Sequence, residues 1–96
     1  MKIEIDNSFG RDAKKLPDAI RDELKAIYQA VEAAQSLDDL PYSVKKMEGR
    51  QKLKAFRLRL SVHSDFRIGF YLEGDTVVLS RILNRKDIYK KFPPKK

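Results

Sequence analysis

AFRLRLSVHSDFRIGFYLEGDTVVLSRILNRKDIYKKF, from Ala55 to Phe92, is the stretch that decides how this chain folds. It holds three apolar-rich runs parted by two short turn signals. In the first run Phe56, Leu58, Leu60 and Val62 alternate with Ala55, Arg57, Arg59 and Ser61. Side chains on a strand point to opposite faces in turn, so Arg57 and Arg59 fall on one face, roughly 6–7 Å apart. His63-Ser64-Asp65 predicts a turn. Phe66, Ile68, Phe70 and Leu72 form the buried set of the second run, and Arg67, Gly69 and Tyr71 join the first arginines if the hairpin closes in register. Glu73-Gly74-Asp75 predicts a second turn, with Gly74 free to take positive φ. Thr76 to Leu83 is apolar on both faces, as a central strand would be. Asn84 to Lys91 is a short basic segment with room for a helical turn, and Phe92-Pro93-Pro94 ends regular structure.

Working outward, Met1 to Asp6 alternates Ile3 and Ile5 with Glu4 and Asp6, which predicts a short strand with one buried face. Asn7 or Ser8 is suited to cap a helical turn in which Phe9, Ala13 and Leu16 share a face. Pro17 fits the first position of a second helix, with Asp18, Asp22 and Glu23 near its positive end. Ile20, Leu24, Ile27, Tyr28 and Val31 make one apolar stripe through Ala34, a core face that backs the sheet. Gln35 to Lys54 is the least regular stretch: Ser36, Asp38, Asp39 and Pro41 break the helix, and Lys45, Lys46, Gly49, Arg50, Lys52 and Lys54 make it basic and mobile.

Ninety-six residues allow one domain, 1–96, with one modest core. The absence of cysteine excludes disulfides and thiolate metal sites, and a single histidine argues against zinc. No cofactor and no metal is expected. No apolar run approaches the ~20 residues of a membrane helix, and MKIEID lacks the apolar core of a signal peptide; a soluble, cytoplasmic protein with no membrane partner is expected. The net charge of +7 is unevenly placed: residues 1–48 carry eight Lys/Arg against ten Asp/Glu, a balance of −2, and residues 49–96 carry thirteen against four, a balance of +9. Such concentration suits a polyanion, because each phosphate neutralised releases counterions. The alternative is a solvated basic face.

If Arg57, Arg59 and Arg67 share an exposed face, and the tail brings Arg85 and Tyr89 to its edge, the result is a basic patch with an aromatic lid. Guanidinium groups grip phosphate through paired hydrogen bonds. A tyrosine ring can stack on an unpaired base. Such a patch suits single-stranded RNA, and RNA can be cut without metal: the ribose 2′-hydroxyl attacks the adjacent phosphorus, one group takes its proton, another steadies the negative phosphorane, and a third protonates the leaving oxygen. Cations serve the second role. Arginine stays protonated at neutral pH and is a poor general base.

YSVKKMEG at 42–49, followed by FRLRLSVHSDFRIGFYLEGDTVVLSRILNRKDIYKKFP at 56–93, resembles the RelE/ParE superfamily of toxin–antitoxin toxins. The resemblance covers nearly the whole chain. It implies an α+β fold, with two N-terminal helices packed on one face of a mostly antiparallel four-stranded sheet and a short C-terminal helical segment. It implies a cognate antitoxin as partner. RelE-like members are endoribonucleases that cut messenger RNA in the ribosomal A site; ParE-like members share the fold and poison DNA gyrase. Residue by residue, the resemblance puts Arg57 and Arg59 at the two basic positions of the first hairpin strand, Arg67 at the phosphate-holding arginine, Arg85 at the arginine that stabilises charge or protonates the leaving group, and Tyr89 at the base-stacking tyrosine. The catalytic set it implies is Arg59, Arg67, Arg85 and Tyr89, with Arg57, Lys54, Lys86 and Lys90 binding RNA. Two departures stand out. The best-known member has lysines where this chain has Arg57 and Arg59, which removes the implied general base, and Asn84 replaces the Gly or His often found before the tail arginine. Those departures leave a third reading open, a binding module that cuts nothing. A related branch uses a carboxylate as base near Glu48.

Several residues carry a structural reading beside the functional one. Arg67 could pair with Glu73 or another acid. Arg81, among Leu79, Ile82 and Leu83, suits a buried pair at least as well as an RNA contact. Tyr28 and Tyr71 read as packing residues. His63 is expected exposed and idle in its turn. Lys90, Lys91, Lys95 and Lys96 are diffuse phosphate contacts or a solvated tail.

Overall fold

A computed structural model of the chain describes residues 1–47 and 54–93. In chain order these form β1 (Lys2–Ile5), α1 (Asn7–Lys14), α2 (Asp18–Ala33), a 3-10 turn (Leu37–Asp39), β2 (Ser43–Lys46), β3 (Lys54–Arg59), β4 (Phe66–Glu73), β5 (Thr76–Asn84) and α3 (Arg85–Lys91). Glu48, Gly49, Arg50, Lys52, Lys95 and Lys96, named above for chemistry or charge, lie outside the described residues. No helix among the described residues is long and apolar enough to cross a membrane.

The fold is α+β, with a mixed sheet of five strands ordered β1-β5-β4-β3-β2. This corrects the expected count of four. The extra strand comes from the stretch read as irregular: β2 pairs antiparallel with β3, Val44 facing Leu58 and Lys45 facing Arg57. Its length is only four residues, too short for alternation to stand out among so many lysines. β1 runs parallel to β5, with Lys2 opposite Thr76; the other pairs are antiparallel.

Phe9 of α1 and the stripe Ile20, Leu24, Ile27 and Val31 of α2 meet Leu58, Leu60, Ile68, Phe70, Val77, Leu79 and Ile82 in the main core. A bulge in β5 makes this possible. Gly69 pairs with Arg81 but Phe70 pairs with Leu79, so Ser80 is the extra residue. The bulge shifts the alternation by one. Val77 and Leu79 before it and Ile82 after it can then all face the helices, and that explains why the run reads as apolar on both faces. The β4–β5 turn has Gly74 at φ +60°, at the first central position, as a type II′ hairpin requires.

The opposite face of the sheet is half covered. There α3 seats Ile88 and Phe92 on Ala55, with Met47, Tyr71 and Leu83 around them. The Phe92 ring lies against Gly69, where a Cβ would stand 2.8 Å from Phe92 Cε2 and closer to Cγ and Cδ2. Tyr71 packs against Phe92 with ring centroids 5.1 Å apart, and Tyr28 against Phe9 at 6.5 Å; both are packing residues. Asn84 caps α3, its side-chain oxygen accepting from the Lys86 and Asp87 amides, each at 3.0 Å.

Three local expectations are corrected. Asp6, rather than Asn7 or Ser8, precedes α1 as its N-cap, and its side chain makes no capping bond; the Ser8 hydroxyl instead donates to the Ser80 carbonyl at 2.7 Å, across to the bulge. Pro17 is the N-cap of α2, one position ahead of its first residue. Val62, expected in the buried set, is 78% exposed, because the chain leaves the strand after Arg59 and turns.

Candidate nucleic-acid interface

The uncovered part of that second face is where the cations gather. Cross-strand partners share a face, and Arg59 stands directly opposite Arg67 while Arg57 stands opposite Gly69. On the other side of β3, Ser43 faces Arg59 and Lys45 faces Arg57. Together with Tyr89 of α3 these residues line an open concavity of about 70 Å³, far smaller than the ~300–1,000 Å³ that holds a drug-sized ligand. It suits one anionic group of a larger chain lying across the surface.

The arrangement works against folding. Like charges directly opposite each other destabilise a sheet, yet Lys45, Arg57, Arg59 and Arg67 share one face. The described ion pairs are Arg21 with Asp18, His63 with Glu23 and Arg81 with Asp12; among the described residues no carboxylate pairs with the four cations of the concavity. Arg67 is held instead by backbone: its Nη1 donates to the Ser64 carbonyl and, at 3.1 Å, to that of Phe66. Partial burial lowers the Arg67 pKa, Tyr89 opposes that effect, and the charges of Arg59, Arg57 and Arg85 add to it. An incoming anion would relieve this repulsion. The Arg57 guanidinium lies over the Tyr89 ring, 4.4 Å from its centroid, and Tyr89 remains 55% exposed. One face of the ring is taken by a cation and the ring as a whole is open to solvent.

Of the residues singled out from sequence, Arg57, Arg59, Arg67 and Tyr89 come together in the concavity. Arg85 does not line it. It is the first residue of α3 and exposed, its backbone amide donating to the Asp65 carbonyl at 2.7 Å, and its charge is felt at Arg67. Lys54 is out of step: it is exposed, and by strand alternation it belongs to the side that Phe56 and Leu58 face. Lys86 and Lys90 are exposed on α3; helical spacing sets them opposite the buried Ile88, away from the sheet.

Arg81 is structural. Its Nε and Nη2 donate to the two carboxylate oxygens of Asp12 at 2.8 and 3.0 Å, and Asp12 also accepts from the Ile82 amide at 3.1 Å. β1 ends opposite Leu79, so Asp12 takes the place of a strand partner beyond that point. That hydrogen bonding outweighs burial and raises the Arg81 pKa above its ordinary value.

His63 is not idle. It is half-buried, and its Nδ1 lies 2.9 Å from Glu23 Oε1. Glu23, read from sequence as a helix-end charge, also accepts from the amides of Ser61, Val62 and His63 at 2.6, 3.0 and 2.9 Å. Burial alone would raise its pKa; the bonds from Val62, the His63 ring, and the His63 and Ser61 amides outweigh burial and hold it below the ordinary carboxylate value. The sequence shows only that Glu23 adjoins Leu24 and follows Ile20 by three, at the rim of the buried stripe; its partners lie 38 to 40 residues away. Ser43 and Lys45 were missed with β2 itself, although Tyr42 and Val44 alternate with them.

No family model matches the chain. Toxin RelE3 of Methanocaldococcus jannaschii is 36% identical over 93 residues, which span 97% of this chain and 100% of that protein. Among solved structures, the RelB-RelE antitoxin-toxin complex from Methanococcus jannaschii contains a chain that matches with a TM-score of 0.74 at 32% identity, covering 94% of this chain and 99% of that one. YafQ from E. coli matches with a TM-score of 0.69 at 16% identity, covering 92% and 97%; at that identity the likeness is one of fold.

Proposed function

This chain belongs to the RelE family of toxins, and from that premise we propose that it is the endoribonuclease of a type II toxin–antitoxin pair, cutting messenger RNA in the ribosomal A site and so arresting translation. The observation that carries this reading is the meeting of Arg57, Arg59, Arg67 and Tyr89 in one open concavity with no carboxylate paired to them among the described residues.

In this reading Arg67, fixed by two backbone carbonyls, holds the scissile phosphate, and Arg59 opposite it neutralises the charge that grows as the 2′-oxygen bonds to phosphorus. Tyr89, steadied from one side by Arg57, offers its exposed face to a base. Arg85 at the head of α3 adds positive charge on the side where the 5′-oxygen leaves. Arginine cannot take the 2′-hydroxyl proton. Lys45 and Tyr89 are the lining side chains able to exchange one, and Lys45 faces Arg57 across β2 and β3. The same cationic face suits an acidic antitoxin segment, and the solved RelB-RelE complex is one relative's example of a toxin bound to its antitoxin.

The test is primer extension on programmed ribosomes with purified protein. Wild type is expected to cut within the A-site codon, and folded Arg67→Ala to lose on the order of 10²–10³ in rate. Lys45→Met should lose activity, because it removes a lining side chain able to exchange a proton. Full-rate cleavage by folded Arg67→Ala, or inhibition of gyrase supercoiling with no RNA cut, would overturn the proposal.

A further inference from the structure

The turn between β3 and β4 carries a polar link between α2 and the arginine face, beside the apolar packing of α2 on the other side of the sheet. On one side it is gripped by Glu23, which belongs to α2 on the helical face. Oε2 accepts from Ser61 and Val62, and Oε1 accepts from His63 and lies 2.9 Å from its ring Nδ1. Three successive amides therefore converge on one carboxylate whose side chain is only 6% exposed. On the other side the Ser64 and Asp65 carbonyls of the same turn reach groups of Arg67 and Arg85, while the His63 carbonyl closes the turn itself. Ser64 receives Arg67 Nη1. Asp65 receives the Arg85 amide at 2.7 Å, and His63 receives the Phe66 amide at 2.9 Å.

We infer that Glu23 is a positioning residue for the arginine face, acting through this turn to fix the Arg67 guanidinium and the first residue of α3. The inference rests on the functional reading above for its catalytic consequence, but its geometry stands apart from that reading. Amides aimed at a fixed negative charge hold a turn in one conformation. Ser61 and Val62 are exposed, so without the carboxylate their amides turn to water, and the carbonyls two and three residues on lose their aim. Arg67 has no carboxylate of its own among the described residues to hold it; its place is set by where Ser64 and Phe66 stand. A purely stabilising Glu23 would leave that place unchanged in any variant that still folds.

The experiment compares wild type, Glu23→Gln and the exposed neighbour Asp22→Asn as control. Circular dichroism reports folding. The Arg67 Nε and Arg85 amide resonances report position. Anisotropy with a short single-stranded RNA carrying 2′-deoxy groups reports binding, and ribosome-programmed cleavage separates kcat from KM. Folded Glu23→Gln is expected to shift or broaden both arginine resonances and to lose on the order of tenfold to a hundredfold in kcat, with Asp22→Asn like wild type. Where the Gln variant does not fold, Glu23→Asp, which keeps the charge and withdraws it by one methylene, is read by the same resonances. Resonances unmoved in a folded variant overturn the inference. Wild type that cuts no RNA sinks the enzymatic reading, and the resonances still decide the role of Glu23.

Discussion

The guanidinium carbon of Arg57 lies 4.4 Å from the centre of the Tyr89 ring, so one cation of the concavity is committed to an aromatic ring as well as to the open face. Exposed pairs of this kind are worth about 0.5–1 kcal/mol. Arg57→Ala and Tyr89→Ala should therefore weaken RNA binding less together than the sum of their separate effects. A double-mutant cycle by fluorescence anisotropy should return a coupling of about that size. Strict additivity would show that Arg57 meets RNA on its own.

Asp12 and Arg81 should behave as one unit of stability with no part in RNA contact. Asp12→Ala removes a two-pronged pair and the acceptor of the Ile82 amide, leaving groups unpaired at the β5 edge, and is expected to cost about 2–4 kcal/mol. Urea denaturation of Asp12→Ala, Arg81→Ala and the double variant should give strongly non-additive losses. Equal losses that simply add would contradict the pair.

Stability should fall in acid partly through Glu23. Its carboxyl is held below its ordinary value in the native protein. The native state therefore releases this proton more readily than the unfolded chain. That contribution is complete above the ordinary glutamate pKa and is lost as pH drops through the native value. Thermal melts from neutral pH to pH ~3 should show wild type well above Glu23→Gln at neutral pH, with the gap closing in acid. A gap that widens as pH falls would give Glu23 the wrong sign.

Gly69→Ala should undock α3. A Cβ there meets the Phe92 ring well inside contact distance, and overpacking of this kind costs about 1–3 kcal/mol. Hydrogen exchange should quicken first at the Ile88 and Phe92 amides, with β4 and β3 slower to follow. Tyr89, carried on the same helix, should lose its place over Arg57. Unchanged protection in α3 would mean the ring has room to slide.

The parts of the fold that could be read in the sequence are those with long, regular periodicity. The α2 stripe from Ile20 to Val31 and the alternation through Phe56–Leu60 and Phe66–Leu72 each lead to the element observed. The convergence of Arg57, Arg59 and Arg67 follows from strand parity once the hairpin closes in register. What stayed hidden depends on contacts distant in sequence. β2 is too short to announce itself, so Ser43 and Lys45 were missed. The Ser80 bulge changes parity inside one strand, which no fixed period can describe. Asp12 reaches residues 69 and 70 positions away, and Glu23 those 38 to 40 away; a helical carboxylate reads as a solvent-facing charge until its partner is in view. Lys54 lies on the other face because its position is out of phase with Arg57 and Arg59 along β3.

The parallel pairing of Lys2 with Thr76 also sets an order of assembly. A ribosome makes β1 well before β5, the strand it pairs with, so β1, α1 and α2 emerge with little to pack against. Only after Asn84 has left the exit tunnel can the sheet close, and Tyr89 follows later still. The cationic surface is thus completed only after β5 and α3 have both been made. Until α3 has emerged, the arginines of β3 and β4 stand on the nascent chain without the tyrosine that borders them.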